Sequence, residues 1–114
     1  MKVEEFVTKI RGSVVDENLY AYRSIFKTTS VSDAADSYWK EALTFFNGLD
    51  QNQRDVLFEI IRQVEVDTVS NMLGVLDNTT VLENQEDNFE LRYGQEVFSG
   101  SLQDVFLEQE ETDK

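Results

Sequence analysis

Apolar positions are densest between residues 50 and 77, and their spacing predicts one long helix there. Asp50 follows Gly48-Leu49 as an N-cap, and Gln53 three residues later completes a capping-box variant. At about 100° per residue, the first half of this helix centres its apolar face on Leu57, Ile61 and Val64. The second half centres it on Val69, Leu73 and Leu76, about a quarter turn round. A face that rotates along the helix predicts different neighbours at its two ends. This segment is read as the core of the domain.

The remaining pattern places other elements around it. Val3, Phe6, Val7, Ile10 and Val14 recur at helical spacing. Val15, Leu19, Tyr22, Ile25 and Phe26 continue the spacing in a shifted phase. The shift predicts either one helix over residues 3–27 or two helices jointed at Gly12-Ser13. Residues 28–33 are rich in cap-forming side chains and read as a loop. A helix over 34–47 follows, capped by Ser32 or Asp33, with Ala35, Trp39, Ala42, Leu43 and Phe46 inward and Gly48 in the left-handed position after its end.

Beyond residue 77 the period changes. Residues 77–88 are polar and turn-rich, and then Phe89, Leu91 and Tyr93 alternate with Glu90 and Arg92. Gly94-Gln95 suits a two-residue hairpin turn with Gly first, so a returning strand over 96–99 pairs Arg92 with Val97 and Leu91 with Phe98. Ser101 and Asp104 mark a last helix start, with Leu102, Val105 and Phe106 on its apolar face. Residues 108–114 are charged and read as a frayed acidic tail. The expected fold is α+β but mostly α. It is a helical bundle around a long central helix (50–77), with a C-terminal β-hairpin (89–99) and a short final helix, in a single domain over 1–114.

Composition narrows the chemistry. The 114 residues contain neither Cys nor His, which removes disulfides, thiolate nucleophiles, the usual zinc ligands and the commonest general base. The five Gly are scattered, so no phosphate-cradling loop is present. Asp77, Asn78, Thr79, Glu83, Glu86 and Asp87 supply oxygens, but Val81 and the lack of a Gly at the sixth position break the EF-hand spacing. No metal or cofactor is expected. Glu65, inside the apolar arc with Arg62 one turn before it, is the only carboxylate to nominate as a base. A non-enzymatic protein is therefore expected. The N-terminal stretch Met1-Lys2-Val3-Glu4-Glu5 does not read as a signal peptide, and no apolar run approaches the roughly 18 residues of a membrane span. A cytoplasmic location is the expectation.

Charge is the extreme feature. The net charge is −13, and it is unevenly spread: +1 over residues 1–30, −6 over 31–80 and −8 over 81–114. Such a field disfavours nucleic acid and anionic membranes and attracts a basic protein partner. The contacts expected for that partner are Glu83, Glu86, Asp87, Glu90, Glu96 and Asp104. The alternative is a structural domain that self-associates as a homodimer, through the hairpin edge or the apolar face of the central helix.

The run from Ile61 to Asp77, followed by the hairpin and by Ser101-Leu102-Gln103-Asp104-Val105-Phe106-Leu107, resembles small acidic bacterial proteins of uncharacterised families, some of them immunity proteins that neutralise a toxin. The resemblance covers about the C-terminal two-thirds of the chain. It implies an α-rich fold with a hairpin, a bacterial origin and a toxin-neutralising or regulatory role, and defines no functional residue.

Overall fold

The computed structural model of the chain describes residues 1–112. Helix α1 (Val3–Ile10), a π-helical segment (Arg11–Asp16) and helix α2 (Glu17–Thr28) follow one another without a break in helical backbone. A 3₁₀ turn (Val31–Asp33) leads to α3 (Ser37–Asn47), then α4 (Gln51–Leu76), a two-stranded hairpin of β1 (Arg92–Tyr93) and β2 (Glu96–Val97), and α5 (Leu102–Thr112). The long central helix, the C-terminal hairpin and the short final helix are those that the sequence predicts. No described helix is long and apolar enough to cross a membrane.

The phase shift after Val14 has a physical form. The Glu17 N–H donates to the Gly12 carbonyl, an i→i−5 bond that adds a residue to the turn. Val7, Arg11 and Val15, each four apart, thereby stay on one buried face. The segment is thus one helix rather than two with a joint.

The main core joins Val7 and Val15 to Val66, Val69 and Leu73 of α4, to Phe98 of the hairpin, and to Leu102 and Phe106 of α5. Burying a side chain such as Phe106 completely contributes about 1.5–3 kcal/mol. A second apolar centre lies apart from it. Phe26 of α2 stacks on Phe46 of α3 at 4.6 Å, with Trp39 and Phe58 edge-on to it. The two centres make a long molecule, 50 × 34 × 23 Å.

The buried face of α4 rotates along the helix, as the apolar spacing predicts. Phe58 is buried with Leu57 and Ile61 half-buried beside it in the first half, and Val66, Val69, Ser70, Leu73 and Gly74 are buried about a quarter turn or more further round in the second, as a stripe that winds about the helix. Arg62 and Glu65 fall within that stripe. Val64, expected inside with Leu57 and Ile61, is exposed, and Leu57 is half-buried. The surplus apolar residues form a second stripe on the outside.

Helix ends also differ from expectation. The cap of α3 is Asp36, whose Oδ1 accepts the Trp39 N–H at 2.8 Å, so the helix starts at Ser37 and not at 34. Ser32 and Asp33 belong to the 3₁₀ turn, where Asp33 accepts from the Ser30 hydroxyl. Ala35 lies outside the helix and is exposed. Gly48 has φ −82°, right-handed backbone, because the chain must turn at once into the Asp50 cap of α4. That capping box is complete: Asp50 accepts from the Gln53 N–H, and Gln53 accepts from the Asp50 N–H.

The hairpin keeps the expected register, Arg92 opposite Val97, with Gly94 at φ +60° in the turn. Its ladder is only two residues per strand, shorter than 89–99 allowed for. Phe98 is buried and packs on Phe6, whereas Tyr93, stacked on Phe98 at 5.6 Å, stays exposed.

Helix α5 is started by a distant residue. Asp77, at the end of α4, accepts backbone N–H bonds from Gly100 (2.6 Å), Leu102 (3.2 Å) and Gln103 (2.8 Å). Ser101, the expected cap, contributes its carbonyl to Val105. Gln103 then donates to Ser70 and accepts from Thr79, and Gly74 gives it room: a Cβ there would meet the Gln103 side chain at 3.0–3.2 Å. The expected frayed tail is helical through Thr112, held by buried Glu110, and residues 113 and 114 lie outside the described part.

Candidate functional site

The first candidate is a buried charge cluster between α5, the π segment and α4. Arg11 is 5 % exposed and Glu110 7 % exposed, and Arg11 Nη1 lies 3.2 Å from Glu110 Oε2. Arg11 also donates from Nη2 to the Phe106 carbonyl at 3.0 Å and sits over the Phe106 ring. Arg62 grips the same carboxylate in bidentate fashion, one bond being Nη2 to Oε2 at 3.1 Å. Arg62 therefore pairs with Glu110, 48 residues away, rather than with Glu65. A carboxylate gripped by two guanidiniums from different helices acts as a lock between them.

Glu65, the nominated base, sits beside this cluster. Its Oε2 is buried and accepts no hydrogen bond among the described residues. Burial raises its pKa above the ordinary 4.5, the nearby Arg62 charge opposes that rise, and the Asp16 carboxylate adds to it. A carboxyl whose folded pKa is raised binds its proton more tightly in the fold than in the unfolded chain. Glu65 therefore costs stability as pH rises from its unfolded pKa through the raised folded value, and costs nothing below that window. Glu65→Gln is expected to be at least as stable as the parent at neutral pH, with the advantage vanishing on acidification. Urea titrations at a series of pH values check this, and an advantage that grows toward acid would contradict it.

The second candidate is a cleft of about 820 Å³ between the C-terminal half of α2 and the α3–α4 junction. Arg23, Lys27 and Arg54 line it together with Phe26, Phe46 and Phe58, and no carboxylate does. Arg23 lies 4.5 Å from the Phe58 ring centroid and Arg54 4.4 Å from that of Phe46. Arg54 also donates to the Phe46 and Asn47 carbonyls, closing the end of α3. The cleft can receive an anionic group against aromatic rings. Glu65 does not line it. Sequence reasoning passed over these cations, although Arg54 and Phe58 stand one helical turn apart.

The third candidate is the acidic surface. Glu83, Glu86, Asp87, Glu90, Glu96 and Asp104 are all exposed. The first three ride on a loop closed by its own bonds: Asn78 donates to the Phe89 carbonyl and accepts the Phe89 N–H, while Gln85 accepts from Leu82 N–H and donates to the Asp87 carbonyl. Glu90 and Glu96 flank the hairpin, where Glu90 holds Arg92 at 2.8 Å. Asp104 stands in the first turn of α5, where the helix dipole favours a negative charge. Asp77 fastens that helix start to the base of the same loop. Asp77, Asn78 and Thr79 are thus spent on internal hydrogen bonds, and no metal-holding group of side chains occurs among the described residues. Compared with protein-family models, with curated proteins and with solved structures, the chain matches none.

Proposed function

We propose that the chain is a non-enzymatic acidic domain that binds a basic protein partner through its 83–104 surface, in the manner of a regulatory or neutralising protein. The observation that carries this reading is the exposure of all six carboxylates on one pinned loop, hairpin and helix start. The one basic residue of residues 81–112, Arg92, is already engaged by Glu90, so this surface offers a partner uncompensated negative charge. Its loop is held by Asn78 and Gln85, so a partner meets carboxylates whose ordering the fold has already supplied. Such a surface speeds association and selects against acidic competitors more than it adds affinity, and its pull weakens over the roughly 10 Å screening length of 0.1 M salt.

The test is affinity capture from lysate of the source cell at low ionic strength, eluted with salt. One basic protein is expected in near-equal amount. The variant carrying Glu83→Gln, Glu86→Gln, Asp87→Asn, Glu90→Gln, Glu96→Gln and Asp104→Asn is expected to release it. Retention by that variant, or binding indifferent to salt, overturns the reading.

A further inference from the structure

The fold leaves part of its longest helix bare. Val56, Ile60 and Val64 of α4 are 51 %, 55 % and 58 % exposed, and their spacing of four places them in one ridge. Gln53, Leu57 and Gln63 border that ridge without a charge, while Glu59 flanks it and Asp67, accepting from Gln63, closes its C-terminal end.

The whole molecule is correspondingly open. Its radius of gyration is 17.8 Å, whereas a compact chain of 114 residues has about 13 Å. It exposes 8028 Å² against about 6,400 Å² for a compact monomer of this mass, an excess of roughly 1,600 Å². A standard interface takes about 800 Å² from each partner. The excess is sufficient for one such interface.

We propose that a second copy of this chain covers the ridge, as a two-fold symmetric dimer with the α4 helices antiparallel and crossing at Ile60. Val56 of each copy then meets Val64 of the other, ridge into groove in the i±4n class. Charge selects the antiparallel sense. Asp67, one turn beyond Val64, is the charge that closes the ridge. Parallel helices crossing at Ile60 would set the two Asp67 carboxylates on the same side of the crossing, close to each other. Antiparallel helices crossing at Ile60 place each Asp67 beside the uncharged Gln53 of the other copy and about 20 Å from the other Asp67 at 1.5 Å per residue, beyond the screening length. The ridge lies on α4 well before the acidic surface, so both surfaces can be occupied at once and the proposal stands without the partner-binding reading.

Sedimentation equilibrium of the full chain is expected to give twice the chain mass. The association should tighten with added salt as the residual repulsion is screened, the reverse of the dependence expected for a basic partner. Ile60→Lys, at an exposed position, is expected to keep the helical circular dichroism and to weaken dimerisation by about a hundredfold or more, as a charge at an interface centre does. Because the chain has no native Cys, oxidation reports the geometry directly. Ile60→Cys is expected to give a covalent dimer alone. Val56→Cys and Val64→Cys are expected to give one only when mixed. A monomer at every concentration, or an Ile60→Lys variant that stays dimeric, overturns the proposal. So does covalent dimer from Val56→Cys alone, which would require parallel helices.

Discussion

Glu110→Ala is expected to destabilise the fold by about 3–5 kcal/mol, the cost of removing one partner from a buried charge pair. Two features set the size. Arg11 is 5 % exposed and cannot regain water where it stands, enclosed by the Phe106 ring and by Val7 and Val15 on either side of it along the helix face. Arg62 reaches the same carboxylate, so the substitution also leaves two guanidiniums facing each other across the vacated site. Chemical denaturation reads the loss as a lower midpoint at unchanged slope. Glu110→Gln should lose less, because it keeps an oxygen for one arginine. The triple replacement Arg11→Met, Arg62→Met and Glu110→Met should recover most of the stability, since apolar groups of similar volume often replace a whole buried ion cluster without loss. A loss below about 1 kcal/mol in Glu110→Ala would show a pair that water already screens, as at an exposed surface.

Asp77→Ala is expected to cost about 2–3 kcal/mol, more than an ordinary cap at about 1 kcal/mol. One buried carboxylate accepts from three backbone N–H groups, and the substitution strands them at the start of the helix that carries Phe106 and Glu110. Amide hydrogen exchange locates the effect. Protection should fall at Gly100, Leu102 and Gln103 and through the first turn of α5, while α2 and α3 keep theirs. Uniform loss across the chain would mean that Asp77 matters to the whole fold and not to this docking.

Much of the fold was legible because it obeys short-range rules. The Asp50–Gln53 box, the Gly94-Gln95 turn and the apolar spacing of the helices each rest on residues two to four apart. What stayed hidden depends on contacts that no local rule reaches. Asp77 caps a helix 25 residues on, and Arg11 meets a carboxylate 99 residues away. Glu110 looked like part of a solvated acidic tail because its neighbours Glu108 and Glu111 are acidic. It is ordered by arginines on two other helices. The rotation of the α4 stripe was legible, but Val64 was placed inside it for a related reason: the helix carries more apolar residues than one face can bury. Only the partners, Arg62 turned inward to Glu110 and Val64 turned out, show which face is core.

The π segment divides the long N-terminal helix into two registers. Before it, Val7 and Arg11 are phased to the core and to Glu110. After it, Phe26 is phased to Phe46 and Trp39. One residue is the whole difference between these phases, about 100° of rotation. The segment is therefore a frameshift written into the backbone. Losing a single residue within 11–16 would leave every side chain but one in place in the sequence and yet turn one end of the molecule away from its partners. The two apolar centres are thus held in a fixed relative rotation by this turn, while α4 joins them through Phe58 in one and Val66 in the other.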